Sequence, residues 1–383
     1  MLTQAPYLTR LTRWLLILCV LIGQGMSQSA LAHRMGESYL FIDYTQNSLH
    51  WDVEARLFDD VLDLDTSQNG IVSWPEYRAA LSQIESFLSR NLQLKNEAQQ
   101  PISFSLSPLK IQEIDQGTYL STQLTLDTEV LSWRDGLTVA YSPFFDLDPS
   151  HLLLIKTHNE SLLESVTTVT ASQPQATLSQ NTWWWASVWS LFKLGFEHMF
   201  LGLDHGVFLL VLTTALVFNQ PKDTPRHSSS TLPSWRSIVR QTAWLVTFFS
   251  LGHGASLLAN TFLAINPPSY WIELGIALSI CLSASYHLRF NRTPKPTITF
   301  IFGLLHGFGF ATSLSLLEFS PLTKLGFVTS FNVGIEIAQL FVAFLFILFL
   351  FLARLRSNSY IRIQRFIYLS TLAVGMYWFV VRL

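Results

Sequence analysis

The chain has 383 residues, of which 49% are hydrophobic and only 13% charged, and its formal net charge is −2. Without a basic run or patch, nucleic acid is excluded as a partner class, and the basic residues sort instead by side of a membrane. The apolar content is concentrated in the second half, so a soluble region is expected to precede a polytopic membrane region in contact with the lipid bilayer.

At the amino terminus Arg10 and Arg13 precede an apolar run from Trp14 to Gly23, and a polar stretch follows that ends in Ala30-Leu31-Ala32. That pattern predicts a cleavable signal peptide over residues 1–32, with His33 as the first residue of the exported chain. An amino-terminal histidine offers both its amine and its imidazole to a metal, copper in particular; the alternative is an ordinary exposed terminus. Of the two cysteines, Cys19 falls in the signal and Cys281 in a predicted membrane helix, so no intramolecular disulfide is expected.

Residues 33–171 read as an extracytoplasmic β-rich domain. Period-two segments run over Ser38 to Asp43, Ser48 to Arg56, Ile102 to Leu106, Thr118 to Leu126, Leu137 to Tyr141, Leu152 to Thr157 and Ser165 to Thr170. These short strands with one helical insertion suggest a β-sandwich-like module.

The insertion carries an EF-hand-like loop over residues 65–76. Asp65, Ser67, Asn69, Ile71, Ser73 and Glu76 hold the ligand positions, with Gly70 at the sharp turn. Alternate oxygen ligands wrap a hard cation, and Glu76 closes the shell with two oxygens, so calcium is the ion implied. Candidate helices flank the loop, Asp59 to Leu64 before it and Pro75 to Leu92 after it. The alternative is a helix-turn-helix that Asp65 and Asn69 merely cap. Residues 172–182 are polar and turn-prone and read as a linker.

From residue 183 onward the chain reads as an α-helical membrane domain. Apolar segments near 200–219, 239–261, 269–289, 298–317, 325–353 and 361–381 are each long enough to cross a hydrocarbon core of about 30 Å, which suggests about six spans. The tryptophans at 183–185 and 189 suit an interfacial helix ahead of the first span. Basic residues cluster in the first, third and fifth connections, which puts those connections in the cytoplasm and the β-rich domain outside.

Ionisable residues inside these spans are costly and therefore point to function. On this topology Asp204 and His205 lie near the outer end of the first span and Glu273 near the outer end of the third. His253 lies about 12 Å below the outer surface, and His306 and Glu336 about 16 Å down. Imidazoles and carboxylates that share one side of the bilayer suit a divalent transition metal, because the ion repays their desolvation. His198 and His205 are about 10 Å apart along a continuous helix. One ion can bridge them only if the backbone breaks near Gly202. Each residue also has a plainer reading: His253 and His306 as packing residues, Asn332 and Glu336 as a helix tie, Glu273 as an interfacial anchor.

The ordered motifs Gly195-x-x-His198-x-x-x-Gly202-x-Asp204-His205, Leu-Gly-His253-Gly, Phe-Gly303-Leu-Leu-His306-Gly-Phe-Gly and Phe-Asn332-Val-Gly-Ile-Glu336 resemble the HupE/UreJ family of hydrogenase and urease accessory membrane proteins. The branch with an exported amino-terminal domain is the nearest likeness. The resemblance implies a permease for nickel or a related divalent ion, zinc included. His198, Asp204, His205, His253, His306 and Glu336 are then the outward-accessible metal site, with Glu273 and Asn332 beside it. Two other readings stay open: an intramembrane metal-dependent hydrolase, which the ligand chemistry permits, and a calcium- or metal-sensing accessory protein that engages a protein partner through its outer domain.

Overall fold

The structure, a computed structural model, describes residues 36–46, 48–68, 72–114, 117–126, 136–158, 165–179, 184–218, 234–290, 292–315, 319–356 and 360–383. The expected signal peptide, His33, and loop residues Asn69, Gly70 and Ile71 lie outside the described residues.

The first region is β-rich. Strands β1 (Glu37–Asp43), β2 (Ser48–Glu54), β5 (Phe104–Leu106), β6 (Lys110–Ile114), β7 (Gly117–Leu126), β9 (Leu152–His158) and β10 (Ser165–Val169) form one sheet in the order β10-β9-β1-β2-β7-β5, with β6 also paired to β7. A second sheet orders β11 (Gln175–Leu178), β8 (Leu137–Tyr141), β3 (Leu92–Lys95) and β4 (Pro101–Ile102). Pairing is antiparallel except between β1 and β9, where Glu37 faces Leu152. Two short elements, α1 (Leu57–Leu62) and α2 (Trp74–Asn91), form the helical insertion. Ser73 and Glu76 close a capping box at the start of α2, which satisfies two amides the helix leaves without an internal partner.

Period-two alternation decides what each face of the larger sheet touches. Leu40, Ile42, Leu49, Trp51, Val53, Leu153 and Ile155 point into a core shared with Leu94, Val139 and Leu178 of the smaller sheet. Tyr39, Leu152, Leu154 and Val166 point the other way, into a second apolar cluster with Leu191, Leu257, Phe327 and Phe331 of the helical region. Because this stretch of sheet is covered on both faces, Leu152–Ile155 is an unbroken apolar run instead of an alternating one.

Two boundaries differ from expectation. Gln175–Leu178, inside the segment read as a linker, is strand β11 and pairs with β8; its polar side chains are tolerated because only Ala176 and Leu178 turn inward. Leu92, expected to end a helix, instead opens β3, where it pairs with Tyr141.

The second region is helical: α3 (Trp184–Leu201), α4 (Leu203–Phe218), α5 (Trp235–Leu263), α6 (Ser269–Phe290), α7 (Pro296–Ser315), α8 (Pro321–Arg356) and α9 (Tyr360–Val381). Helices α5, α6 and α8 are long and apolar enough to cross a membrane, and α3 with α4, bent by 72°, qualify together as a fourth broken span. Helix α3 carries the tryptophans from Trp184 onward and docks on the β-rich region. Ser187 Oγ accepts from the Val166 amide at 3.0 Å and Ser190 Oγ from the Thr168 amide at 3.1 Å. These bonds cover the outer edge of strand β10, which otherwise exposes unpaired amides.

Four Phe-x-x-Gly steps bring the helices together in two reciprocal pairs. A Cβ on Gly252 of α5 would lie 2.1 Å from the Phe300 carbonyl oxygen, and one on Gly303 of α7 would lie 2.1 Å from that of Phe249. Likewise a Cβ on Gly195 of α3 would lie 2.0 Å from the Phe331 oxygen, and one on Gly334 of α8 would lie 2.1 Å from that of Phe192. Only glycine allows backbones this close, and such small-residue crossings drive helix association in lipid.

Candidate metal site

The break between α3 and α4 is where the site begins. The Gly202 amide still bonds the His198 carbonyl at 2.9 Å and the His205 amide bonds the Gly202 carbonyl at 3.1 Å, so one helix ends and the next begins around Gly202. A Cβ at Gly202 would meet His205 Nδ1 at 2.6 Å and Asp204 Oδ1 at 3.0 Å. The bend folds the rings of His198 and His205 to 5.1 Å between centroids, where a straight helix would hold them about 10 Å apart along its axis.

The two glycine-mediated crossings supply the rest. His253 follows Gly252 directly, and His306 stands one turn beyond Gly303. Centroid distances are 6.0 Å from His198 to His253, 6.1 Å from His205 to His253 and 5.1 Å from His205 to His306. One ring nitrogen from each of His198, His205 and His253 lies within 4.8 Å of the others. Metal–nitrogen bonds of about 2.0–2.1 Å set tetrahedral ligands about 3.3 Å apart, so the imidazoles need close by no more than about 1.5 Å to share one ion.

Hydrogen bonds determine which nitrogen each ring offers. Asp204 Oδ1 lies 3.0 Å from His205 Nδ1, and the Phe302 carbonyl lies 2.8 Å from His306 Nδ1. A carboxylate and a carbonyl only accept, so both Nδ1 atoms carry the proton and both Nε2 atoms present lone pairs. Those two Nε2 atoms, with both nitrogens of His198 and of His253, are buried without a hydrogen-bond partner. Each such group costs about 1–3 kcal/mol when left unsatisfied. Phe310 and Phe331, stacked 4.5 Å apart, wall off His198, and Phe249 lies 5.1 Å from His306. Neutral imidazole lone pairs gathered inside an aromatic wall form a donor set for a borderline transition metal.

The remaining expected residues have other neighbours. Asp204 Oδ1 bonds to the amide and the Nδ1 of His205, the arrangement by which a carboxylate orients a ligating histidine. Glu336 Oε1 accepts from Thr247 Oγ1 at 2.6 Å, joining α8 to α5. Asn332 Nδ2 donates to the Ser250 carbonyl at 2.8 Å, and its Oδ1 is buried without a partner. Glu273 lies against Arg382, whose Nη1 donates to the Glu273 carbonyl at 3.1 Å. Sequence reasoning missed the paired Phe-x-x-Gly steps and the aromatic wall; comparing the four apolar segments with one another would have exposed the first.

In the outer loop Ser67 Oγ donates to Asp65 Oδ1 at 3.0 Å. Glu76 accepts from the Ser67 amide at 2.9 Å and the Ser73 amide at 2.7 Å. These bonds hold the exposed Glu76 carboxyl down at about 2. Both Glu76 oxygens are thus taken up within the described part of the loop, Oε1 by the Ser67 amide and Oε2 by the Ser73 amide and hydroxyl.

These features define a helical membrane protein with a buried histidine cluster gathered around the bend between two apolar helices. The family model described as HupE / UreJ protein matches residues 173–382, and the chain belongs to that family. The match begins just before β11, so most of the β-rich region lies outside it. No curated protein and no solved structure matches the chain.

Proposed function

We propose that the helical region is a permease for a divalent transition metal, nickel or a related ion such as zinc. In this reading it crosses the membrane six times, and the β-rich region stands outside. The carrying observation is the convergence of His198, His205 and His253, with one nitrogen from each within 4.8 Å of the others. Their orphaned, buried lone pairs gain from a soft or borderline cation what they lose by leaving water. His306 adds a fourth lone pair beside His205, and Asp204 holds His205 in the ligating tautomer. Glu336 and Asn332 flank the site on α8, and Glu273 with Arg382 stands near its outer end. The distribution of basic residues supports the orientation.

Purified protein in proteoliposomes should take up nickel or zinc, and His205→Ala or His253→Ala should abolish that uptake. Wild-type uptake in both variants would refute the reading.

The outer loop 65–76 is read as a calcium site, with Asp65, Ser67, Asn69, Ile71, Ser73 and Glu76 as ligands. Its support is the ligand spacing along the sequence, together with the bonds from Ser67 to Asp65 and to Glu76 that fold the two ends of the loop together. Calorimetric titration of the whole protein with calcium should give a signal that Glu76→Gln removes, and the absence of any wild-type signal would dismiss it.

A further inference from the structure

A cavity of about 210 Å³ opens between α4, α6 and α7. Its walls are mostly apolar, with Phe208, Leu212, Leu282, Tyr286, Ile298 and Phe302 outnumbering Ser283, His287 and Thr299. Its charged lining residue, Lys295, is basic. Arg289 and Arg292 stand within a few residues, with no carboxylate anywhere in 286–300. Among the described residues none of these three cations has an ion-pair partner. The guanidinium carbons of Arg289 and Arg292 lie 5.8 Å and 6.0 Å from the centre of the same Phe290 ring.

The basic segment is held in place. His287 is buried and its Nδ1–H donates to the Arg292 carbonyl at 2.9 Å. That bond ties the turn after α6 back to the helix and sets Lys295 at the head of α7.

We propose that this groove binds an anionic phospholipid, its phosphate between Lys295 and Arg292 and a stretch of one acyl chain along Leu212, Ile298 and Phe302. Like charges gathered without a counter-ion need an anion, and basic pockets between membrane helices take lipid head groups. The apolar walls call for a hydrocarbon tail and give a cation nothing to replace its water. Lys295 in the lining repels a metal ion, so the groove is not part of a metal path. The inner end of the chain would meet Phe208, whose ring lies 5.9 Å from that of His306. It would also meet Phe302, whose carbonyl orients His306. Lipid occupancy therefore stiffens one wall of the histidine site. The inference rests on membership of a membrane-protein family and not on the metal reading, so either can fail alone.

Delipidated full-length protein offered phosphatidylglycerol or phosphatidylcholine and examined by native mass spectrometry should retain the first in preference. Arg292→Gln together with Lys295→Gln should lower that retention roughly tenfold or more and leave phosphatidylcholine unchanged. Ile298→Trp, which fills the groove and keeps the charges, should lower it as well and carries the test if the double variant does not fold. Millimolar inorganic phosphate should not displace the lipid. Equal retention of the two lipids by the wild type, an undiminished preference in folded Ile298→Trp, or displacement by phosphate alone would each overturn the proposal.

Discussion

His151 in the β-rich region and His253 in the helical region are both buried imidazoles, yet their surroundings differ. His151 Nε2 has hydroxyl partners, Tyr141 at 2.8 Å and Ser38 at 3.3 Å, and its ring stacks on Tyr141. Neither His253 nitrogen is satisfied, and beside it stand Asn332 and two further histidines that bring a ring nitrogen within 4.8 Å of its own. A single imidazole paired with hydroxyls belongs to a core, whereas several imidazoles aimed at one point without partners form a donor set. Loop 65–76 makes a second contrast: its described oxygens lie near the surface and are paired with one another, Ser67 Oγ with Asp65 Oδ1 and Ser73 Oγ with Glu76 Oε2.

The largest expected effect separates the two ion chemistries. His253→Ala should weaken transition-metal binding by more than about 100-fold, beyond the loss typical of an outer-shell partner, while leaving calcium titration of loop 65–76 unchanged. Elemental analysis and calorimetry on one sample would check both, and a joint loss would break the distinction.

The second effect tests His151 as a core residue. Burial holds its folded-state pKa at about 3, below the 6.5 of an unperturbed histidine. Unfolded chains therefore bind the proton first as pH falls. The stability tied to neutral His151 is complete above pH 6.5 and declines as pH drops from 6.5 toward 3. Between pH 6.5 and 4 the β-rich region should lose about 3 kcal/mol, read by denaturant unfolding. His151→Leu should flatten that slope, and an unchanged slope would assign the acid sensitivity elsewhere.

Gly303→Ala should cost the helical region about 2 kcal/mol, because its new Cβ meets the Phe249 carbonyl and the crossing must open. Thermal unfolding would show it, with the β-rich region unaffected. The smallest effect sharpens the role of Asp204: Asp204→Asn keeps the shape but weakens the hold on the His205 tautomer. Metal affinity should fall about tenfold, less than for loss of a ligand. A loss as large as that of His253→Ala would make Asp204 a ligand itself.

Much of the fold was legible because burial imprints a period on the chain. The alternation at Leu49, Trp51 and Val53 marks β2, and the helix expected from Pro75 onward is α2. Strand β11 was hidden because its pattern covers four residues within a polar stretch. The docking of α3 on the sheet was hidden because Ser187 and Ser190, which serve the edge of β10, read in the sequence only as polar positions in a helix. Within the site the histidines stood out as costly exceptions in apolar helices. Their division of labour did not, since Glu336 bonding to Thr247 and Asp204 bonding to His205 depend on which helices meet.

The sequence by itself determined that ligand-bearing residues sit inside apolar helices, that an exported-looking β-rich region precedes them, and that a single ion could join His198 to His205 only through a break at Gly202. Composition and periodicity carry that information because the cost of burying charge acts locally. Only the tertiary structure decided that the chain does bend there, that Gly252 and Gly303 bring His253 and His306 alongside, and that Asp204 bonds to His205 while Glu336 bonds to Thr247. Those outcomes depend on backbone approach across helix crossings, and no local pattern encodes which glycine meets which carbonyl.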